Sequence, residues 1–311
     1  MPVRSDVHVS GRTIPGSAGT PDIPIRVYRQ YGAGLAPGPD GQSGLPAIVY
    51  FHGGGWVAGD LESHDASCRM LAAVSRCLVV AVDYRLAPEH PYPAAVDDAV
   101  AAYRWVQLHH EELGTAAGLV GVMGDSAGGN LAAVVAQRTR AGAGGSTSDN
   151  SNSSHSSDSS AASDASDVPP PVVQGLVYPA LDARLQSDSV ASMGEGLFLT
   201  RANMEYYRSQ YLPRPSDWES PGASPLLADD LHDLAPALVV TAGFDPLRDD
   251  GSAYAAALCD AGVEVEYRCY DDQIHGFMGM GILDDSLALA TEVCDAMGRM
   301  MRRASRSEER S

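Results

Sequence analysis

The residues from Gly118 to Ala136 place a hydroxyl where chemistry could use it: an apolar run breaks on glycines around Ser126 and then resumes as a helix former. The stretch reads as strand, sharp turn, helix. A serine hydroxyl is a poor nucleophile, so it has to stand at an exposed turn, with a base on one side and an electrophilic carbonyl on the other. Gly124, Ser126 and Gly128 form Gly-x-Ser-x-Gly, and the glycines let the backbone turn tightly enough to push the serine side chain out. A glycine-rich turn before a buried helix would share this spacing, so the partners of Ser126 have to be found elsewhere.

The base must be a histidine. Every basic residue of the chain is arginine, and without lysine there is no Schiff base, P-loop lysine or Ser-Lys dyad. His8, His109, His110, His155 and His232 sit in segments that read as exposed or irregular, and His64 and His90 have no strand-end placement. His52 opens His52-Gly53-Gly54-Gly55-Trp56, where consecutive glycines leave backbone N–H groups unobstructed, a natural oxyanion cradle. It is expected to anchor that loop, with Gly53, rather than act as a base. His275, on a loop after the last strand and followed by Gly276, is the expected base. Asp245, directly after a strand, leads as its carboxylate, with Asp249 in reserve; Asp271 and Asp272 lie too close in sequence to reach the ring from behind. Serine, then aspartate, then histidine, each just past a strand end, is an order known for hydrolases.

The elements that position these groups alternate. Residues 1–30 read as an antiparallel edge hairpin, and Gly32 to Gly44 as a Pro/Gly loop. Strands are expected at Pro46 to Phe51, Cys77 to Tyr84, the run before Ser126, Val172 to Tyr178, Ala237 to Ala242 and Val263 to Tyr270. Helices are expected at His64 to Ser75, Ala94 to Leu113, after Ser126, at Ser252 to Ala261 and at Ser286 to Met301, with a frayed Arg/Glu/Ser tail. Pro88, Pro91 and Pro93 fix an extended crossing. Residues 141–168, mostly Ser, Gly, Asp, Asn and Ala, predict a disordered insert remote from the site. Residues 183–232 break the strand rhythm with Tyr-, Met-, Trp- and Pro-rich helical pieces, such as Arg201 to Tyr211, which read as a cap or lid insertion or as an ordinary packed excursion. The whole, residues 1–311, is expected to form a single α/β domain, a mostly parallel central sheet with helices on both faces.

Composition narrows the partners. A net charge of −19 and a pI near 4.6 argue against nucleic acid or an anionic membrane surface. The five cysteines are scattered without Cys-x-x-Cys, so neither a disulfide framework nor a zinc site is indicated. No run approaches the roughly 20 apolar residues of a membrane span, and the N-terminus lacks a signal-peptide core. A cytoplasmic setting and no cofactor or metal are the expectations.

Five blocks in order carry a resemblance: His52-Gly53-Gly54-Gly55-Trp56, Asp83-Tyr84-Arg85-Leu86-Ala87-Pro88-Glu89, Gly124-Asp125-Ser126-Ala127-Gly128-Gly129-Asn130, Asp245-Pro246-Leu247-Arg248-Asp249 and His275-Gly276-Phe277. Together they resemble a bacterial carboxylesterase of the hormone-sensitive lipase family, within the α/β-hydrolase superfamily, over about residues 20–300. The resemblance implies the α/β-hydrolase fold, a Ser126, Asp245, His275 triad, and an oxyanion hole from the N–H groups of Gly54, Gly55 and Ala127. It also implies esters with short to medium acyl chains as substrates. An amide or formamide hydrolase on the same site, and a ligand receptor without catalysis, are the alternative functions; homodimers occur in the family. Where the family usually has N-terminal cap helices, only a hairpin-like segment precedes the glycine loop, which implies a reduced cap and a more open pocket.

Overall fold

The computed structural model describes residues 4–17, 19–32, 44–140, 168–281 and 284–308. Eight strands form one sheet: β1 (Val7–Ile14), β2 (Ile23–Gln30), β3 (Leu45–Phe51), β4 (Leu78–Val82), β5 (Thr115–Asp125), β6 (Gln174–Val177), β7 (Ala237–Phe244) and β8 (Val265–Ile274). Their spatial order is β1-β2-β4-β3-β5-β6-β7-β8. β2 runs antiparallel to both neighbours, which makes the expected edge hairpin, and β3 to β8 are parallel.

Alternation along each strand divides the core in two. Ala47, Val49 and Phe51 of β3 join one cluster while Ile48 and Tyr50 join the other; in β7, Ala237 and Val239 oppose Leu238, Val240 and Ala242. On the first face pack helices α2 (Ala94–Leu108), α4 (Ala127–Arg138) and α7 (Arg248–Asp260). On the second lie α1 (Asp65–Ser75) and α8 (Asp284–Glu308). Strands β3 to β7 therefore read as nearly continuous apolar runs, because both faces are covered, whereas the edge strand β8 carries Glu266, Arg268, Asp271 and Asp272.

The structure departs from the expected element ends at four places. The helix expected from Ala94 to Leu113 breaks at His109, whose φ of −110° and ψ of 28° leave the helical region, and resumes as α3 (His110–Leu113). β8 continues through Asp271 and Asp272 to Ile274 by bulging, with Asp271, Asp272 and Gln273 opposite the single residue Gly243 of β7; a Cβ on Gly243 would lie 2.1 Å from the Asp271 carbonyl oxygen. α7 starts at Arg248, one turn before the expected Ser252. α8 runs on to Glu308 instead of fraying after Met301, with Arg302 Nη1 donating to the Ser75 carbonyl at 3.0 Å. Residues 141–167 of the expected insert lie outside the described residues, whereas Val168 is buried in the core. None of the described helices is long and apolar enough to cross a membrane.

The turn from β5 into α4 is the tightest junction. α4 is buried along most of its length, and its first turn sits directly on the end of β3. A Cβ at Gly128 would lie 1.9 Å from the Phe51 carbonyl oxygen, and one at Gly124 would lie 2.2 Å from the Gly128 carbonyl oxygen. Both neighbours are backbone, so neither can move aside alone. Gly128→Ala should therefore lower stability by about 3 kcal/mol or more. Thermal denaturation checks this; a midpoint equal to that of the wild type would contradict the packing described.

Candidate active site

Ser126 occupies the turn with φ 56° and ψ −116°, a conformation that costs a non-glycine residue roughly 1–3 kcal/mol. Its N–H donates to the Val177 carbonyl at 2.9 Å, which fixes the turn to β6. Ser126 Oγ lies 3.0 Å from His275 Nε2, and His275 Nδ1 lies 2.7 Å from Asp245 Oδ2. The carboxylate can only accept, so Nδ1 carries the proton and the Nε2 lone pair faces the serine hydroxyl. Asp245 is fully buried just after β7, and its Oδ1 accepts the Leu247 N–H at 2.8 Å. His275 follows β8 and rests against Tyr178, ring centroids 4.7 Å apart. Asp249, the reserve carboxylate, is engaged elsewhere, accepting the Ser189 N–H at 2.8 Å and pairing with Arg248.

The glycine loop leaves β3 beside this group. Gly54 and Gly55 have φ of 124° and 62°, and a Cβ on Gly54 would strike the Ala58 carbonyl oxygen at 2.0 Å. The Gly53 N–H donates to Asp125 Oδ1 at 3.0 Å, and the Ala87 N–H holds the Trp56 carbonyl at 2.9 Å. The N–H groups of Gly54, Gly55 and Ala127 have no partner among the described residues, and these three residues line one cavity with Ser126 and His275. His52 donates from Nδ1 to the Gly53 carbonyl at 2.8 Å, its own carbonyl accepts the Tyr84 hydroxyl at 2.7 Å, and its ring stacks on Tyr84 at 4.3 Å. Burial pulls its imidazole down to about 4, so at neutral pH it is an uncharged brace with no proton to exchange with substrate.

The cavity has a volume of about 390 Å³, within the range of small-molecule sites. Much of its wall comes from the segment after β6: Leu185, Phe198, Leu199, Met204, Tyr207, Arg208, Leu212 and Ala223. Two helices stand in that segment, α5 (Asp188–Met193) and α6 (Arg201–Tyr211), the latter started by a Thr200/Asn203 capping box. α6 meets the glycine loop twice. A Cβ on Gly55 would lie 2.4 Å from the Tyr207 ring, and Trp56 stacks on Tyr211 with centroids 4.6 Å apart and planes 7° from parallel.

Comparison with known proteins agrees with this geometry. The profile of the α/β-hydrolase fold matches residues 48–279. The chain belongs to that family. This α/β hydrolase is 43% identical over 291 residues to the carboxylic ester hydrolase LipN of Mycobacterium tuberculosis, covering 92% of this chain and 68% of that one. It is 36% identical to an ethyl acetate hydrolase of Pseudomonas putida, covering 87% of this chain and 77% of that one. Among solved structures, an ester hydrolase from the metagenome of Lake Arreo superimposes with a TM-score of 0.80 at 39% identity, covering 94% of this chain and 82% of that one. The resemblance to bacterial esterases of the hormone-sensitive lipase family is thus borne out.

Sequence reasoning set aside one residue that the α/β hydrolase places in its site. His64, just before α1, lines the cavity, with Nε2 3.7 Å from Asp125 Oδ1. The same carboxylate oxygen accepts the Tyr50 hydroxyl at 2.6 Å and the Gly53 N–H, so Asp125 joins the serine turn to the glycine loop. Burial alone pulls the His64 imidazole down, but the Asp125 and Asp60 carboxylates outweigh it and hold it above its ordinary value. For Asp125 burial pushes upward, and His64 and the Tyr50 hydroxyl more than offset it, holding the carboxyl at about 2. With the Asp125 side chain only 14% exposed, solvent screens these contacts weakly. A carboxyl depressed from 3.8 to about 2 adds stability that is present above pH 4 and lost as the pH falls toward 2. Wild type should therefore exceed Asp125→Asn by about 2 kcal/mol in denaturant unfolding at pH 5, with the gap closing near pH 2. A gap independent of pH would overturn this account.

Proposed function

We propose that this α/β hydrolase is a serine carboxylesterase acting on short- to medium-chain acyl esters, with Ser126 as nucleophile, His275 as base and Asp245 as its orienting carboxylate. The observation that carries the reading is the Ser126–His275–Asp245 chain of contacts at 3.0 and 2.7 Å beside three N–H groups without partners among the described residues. Esterase names among the relatives support the same class of reaction.

The mechanism follows from the placed atoms. His275 Nε2 takes the Ser126 proton as Oγ attacks the ester carbonyl, and buried Asp245 stabilises the imidazolium and keeps its tautomer. Charge on the carbonyl oxygen meets the N–H groups of Gly54, Gly55 and Ala127, each such donor being worth roughly 3–4 kcal/mol in comparable sites. The alcohol departs with the proton from His275. Water, deprotonated by His275, then cleaves the acyl-enzyme and restores Ser126. Residues 183–232 act in this reading as a cap whose apolar side chains hold the acyl or alcohol chain, and the cavity volume of about 390 Å³ favours short to medium chains.

Hydrolysis of p-nitrophenyl esters from acetate to palmitate should be fastest at short or middle chains and abolished by a serine-directed organophosphate. Ser126→Ala should reduce kcat by at least about 10³-fold while leaving the melting curve intact. Ester turnover retained by folded Ser126→Ala would sink the assignment.

A further inference from the structure

The cavity wall contains one arginine, Arg208 of α6. Its Nη1 donates to the carbonyls of Ala183 at 2.9 Å and Arg184 at 3.4 Å, and its guanidinium lies 3.8 Å over the Trp218 ring. These contacts fix the plane of the group. They use one nitrogen, and Nε and Nη2 make no hydrogen bond among the described residues, which leaves three N–H donors in a fixed fork.

Arg208 forms no ion pair with a carboxylate among the described residues. Three acids of and beside this segment are taken by other arginines: Glu205 by Arg201 at 3.0 Å, Asp182 by Arg184 at 2.7 Å and Asp217 by Arg214 at 2.9 Å. Burial in the wall pulls Arg208 below its ordinary value, and the Glu205 carboxylate, itself paired with Arg201, offsets only part of that loss of solvent. A guanidinium with a fixed plane and an unused edge matches a carboxylate in bidentate geometry. Around it, Leu199, Met204 and Leu212 give an apolar surface on which methylenes can lie.

We propose that Arg208 binds a carboxylate carried by the substrate, so that the preferred esters are half-esters: short chains with the scissile ester at one end and an anion at the other. The inference rests on the esterase reading of the site and names its substrate class. The net charge of −19 repels such a substrate at long range, so the discrimination comes from direct contact with Arg208.

The test is a ratio of kcat/KM values, carboxylate-bearing over neutral, for two matched pairs. Monoethyl adipate against ethyl hexanoate carries the anion on the acyl side, and acetoxyhexanoate against hexyl acetate carries it on the alcohol side. In at least one pair the ratio should fall by roughly 10- to 100-fold on going from wild type to Arg208→Gln, with partial recovery in Arg208→Lys. Ratios that move less than about twofold in both pairs would mean that Arg208 serves only to hold α6, and the proposal would fall. Inhibition of wild-type ethyl hexanoate turnover gives an answer without substitution: adipate should inhibit at least about tenfold more strongly than hexanediol, and equal inhibition overturns the proposal. Wild-type protein that hydrolyses none of the four esters would overturn the esterase reading itself, a failure distinct from unchanged ratios.

Discussion

The site depends on a packing constraint rather than on any one polar contact. The first turn of α4 lies so close to the end of β3 that the Phe51 carbonyl occupies the space a Cβ on Gly128 would need. This closeness sets the distance between the serine turn and the glycine loop, because each is a continuation of one of the two touching elements. It also explains the strained φ of Ser126, which a loose junction would relax. The strain is small beside the surrounding burial, and what it achieves is a hydroxyl projected away from the sheet toward Nε2 of His275.

Electrostatics then divides the carboxylates by environment. Asp245 is sealed under the imidazole, where its charge acts on one proton site. Asp125, one residue before the serine, accepts from the Tyr50 hydroxyl and the Gly53 N–H and faces the His64 imidazole at 3.7 Å. A third, Asp250, accepts the N–H groups of Leu181 and Asp182, and burial pushes it up to about 7. These three acids hold different segments around the cavity through different partners.

The parts of the site that could be read from the sequence are those marked locally. Glycines around Ser126, the triple glycine after His52 and the strand ends before Asp245 and His275 each announce themselves within a few residues. The sheet followed from apolar runs whose two-residue alternation both faces then bury. His64 was passed over because its value comes from a contact with Asp125, and nothing in the residues near it says that the start of α1 faces the serine turn. Arg208 was equally silent, since helical periodicity places it on α6 without telling which side faces the cavity. Element ends went astray where backbone geometry overrode composition. The polar Asp271 and Asp272 look like loop, yet they stay in β8 as its bulge opposite Gly243.

The two meetings of α6 with the glycine loop carry a consequence for how such a protein diversifies. Gly55 beneath Tyr207 and Trp56 stacked on Tyr211 mean that, in the proposed mechanism, the surface choosing the substrate and the surface stabilising charge share a wall. Neither can be exchanged as an independent module. A descendant that reshapes α6 to admit a bulkier ester also shifts the loop's amides, so a new diet and a slower turnover tend to arrive together until a second substitution re-seats the loop. Evolution of this fold along that route is a paired walk, with the aromatic contacts as its hinge.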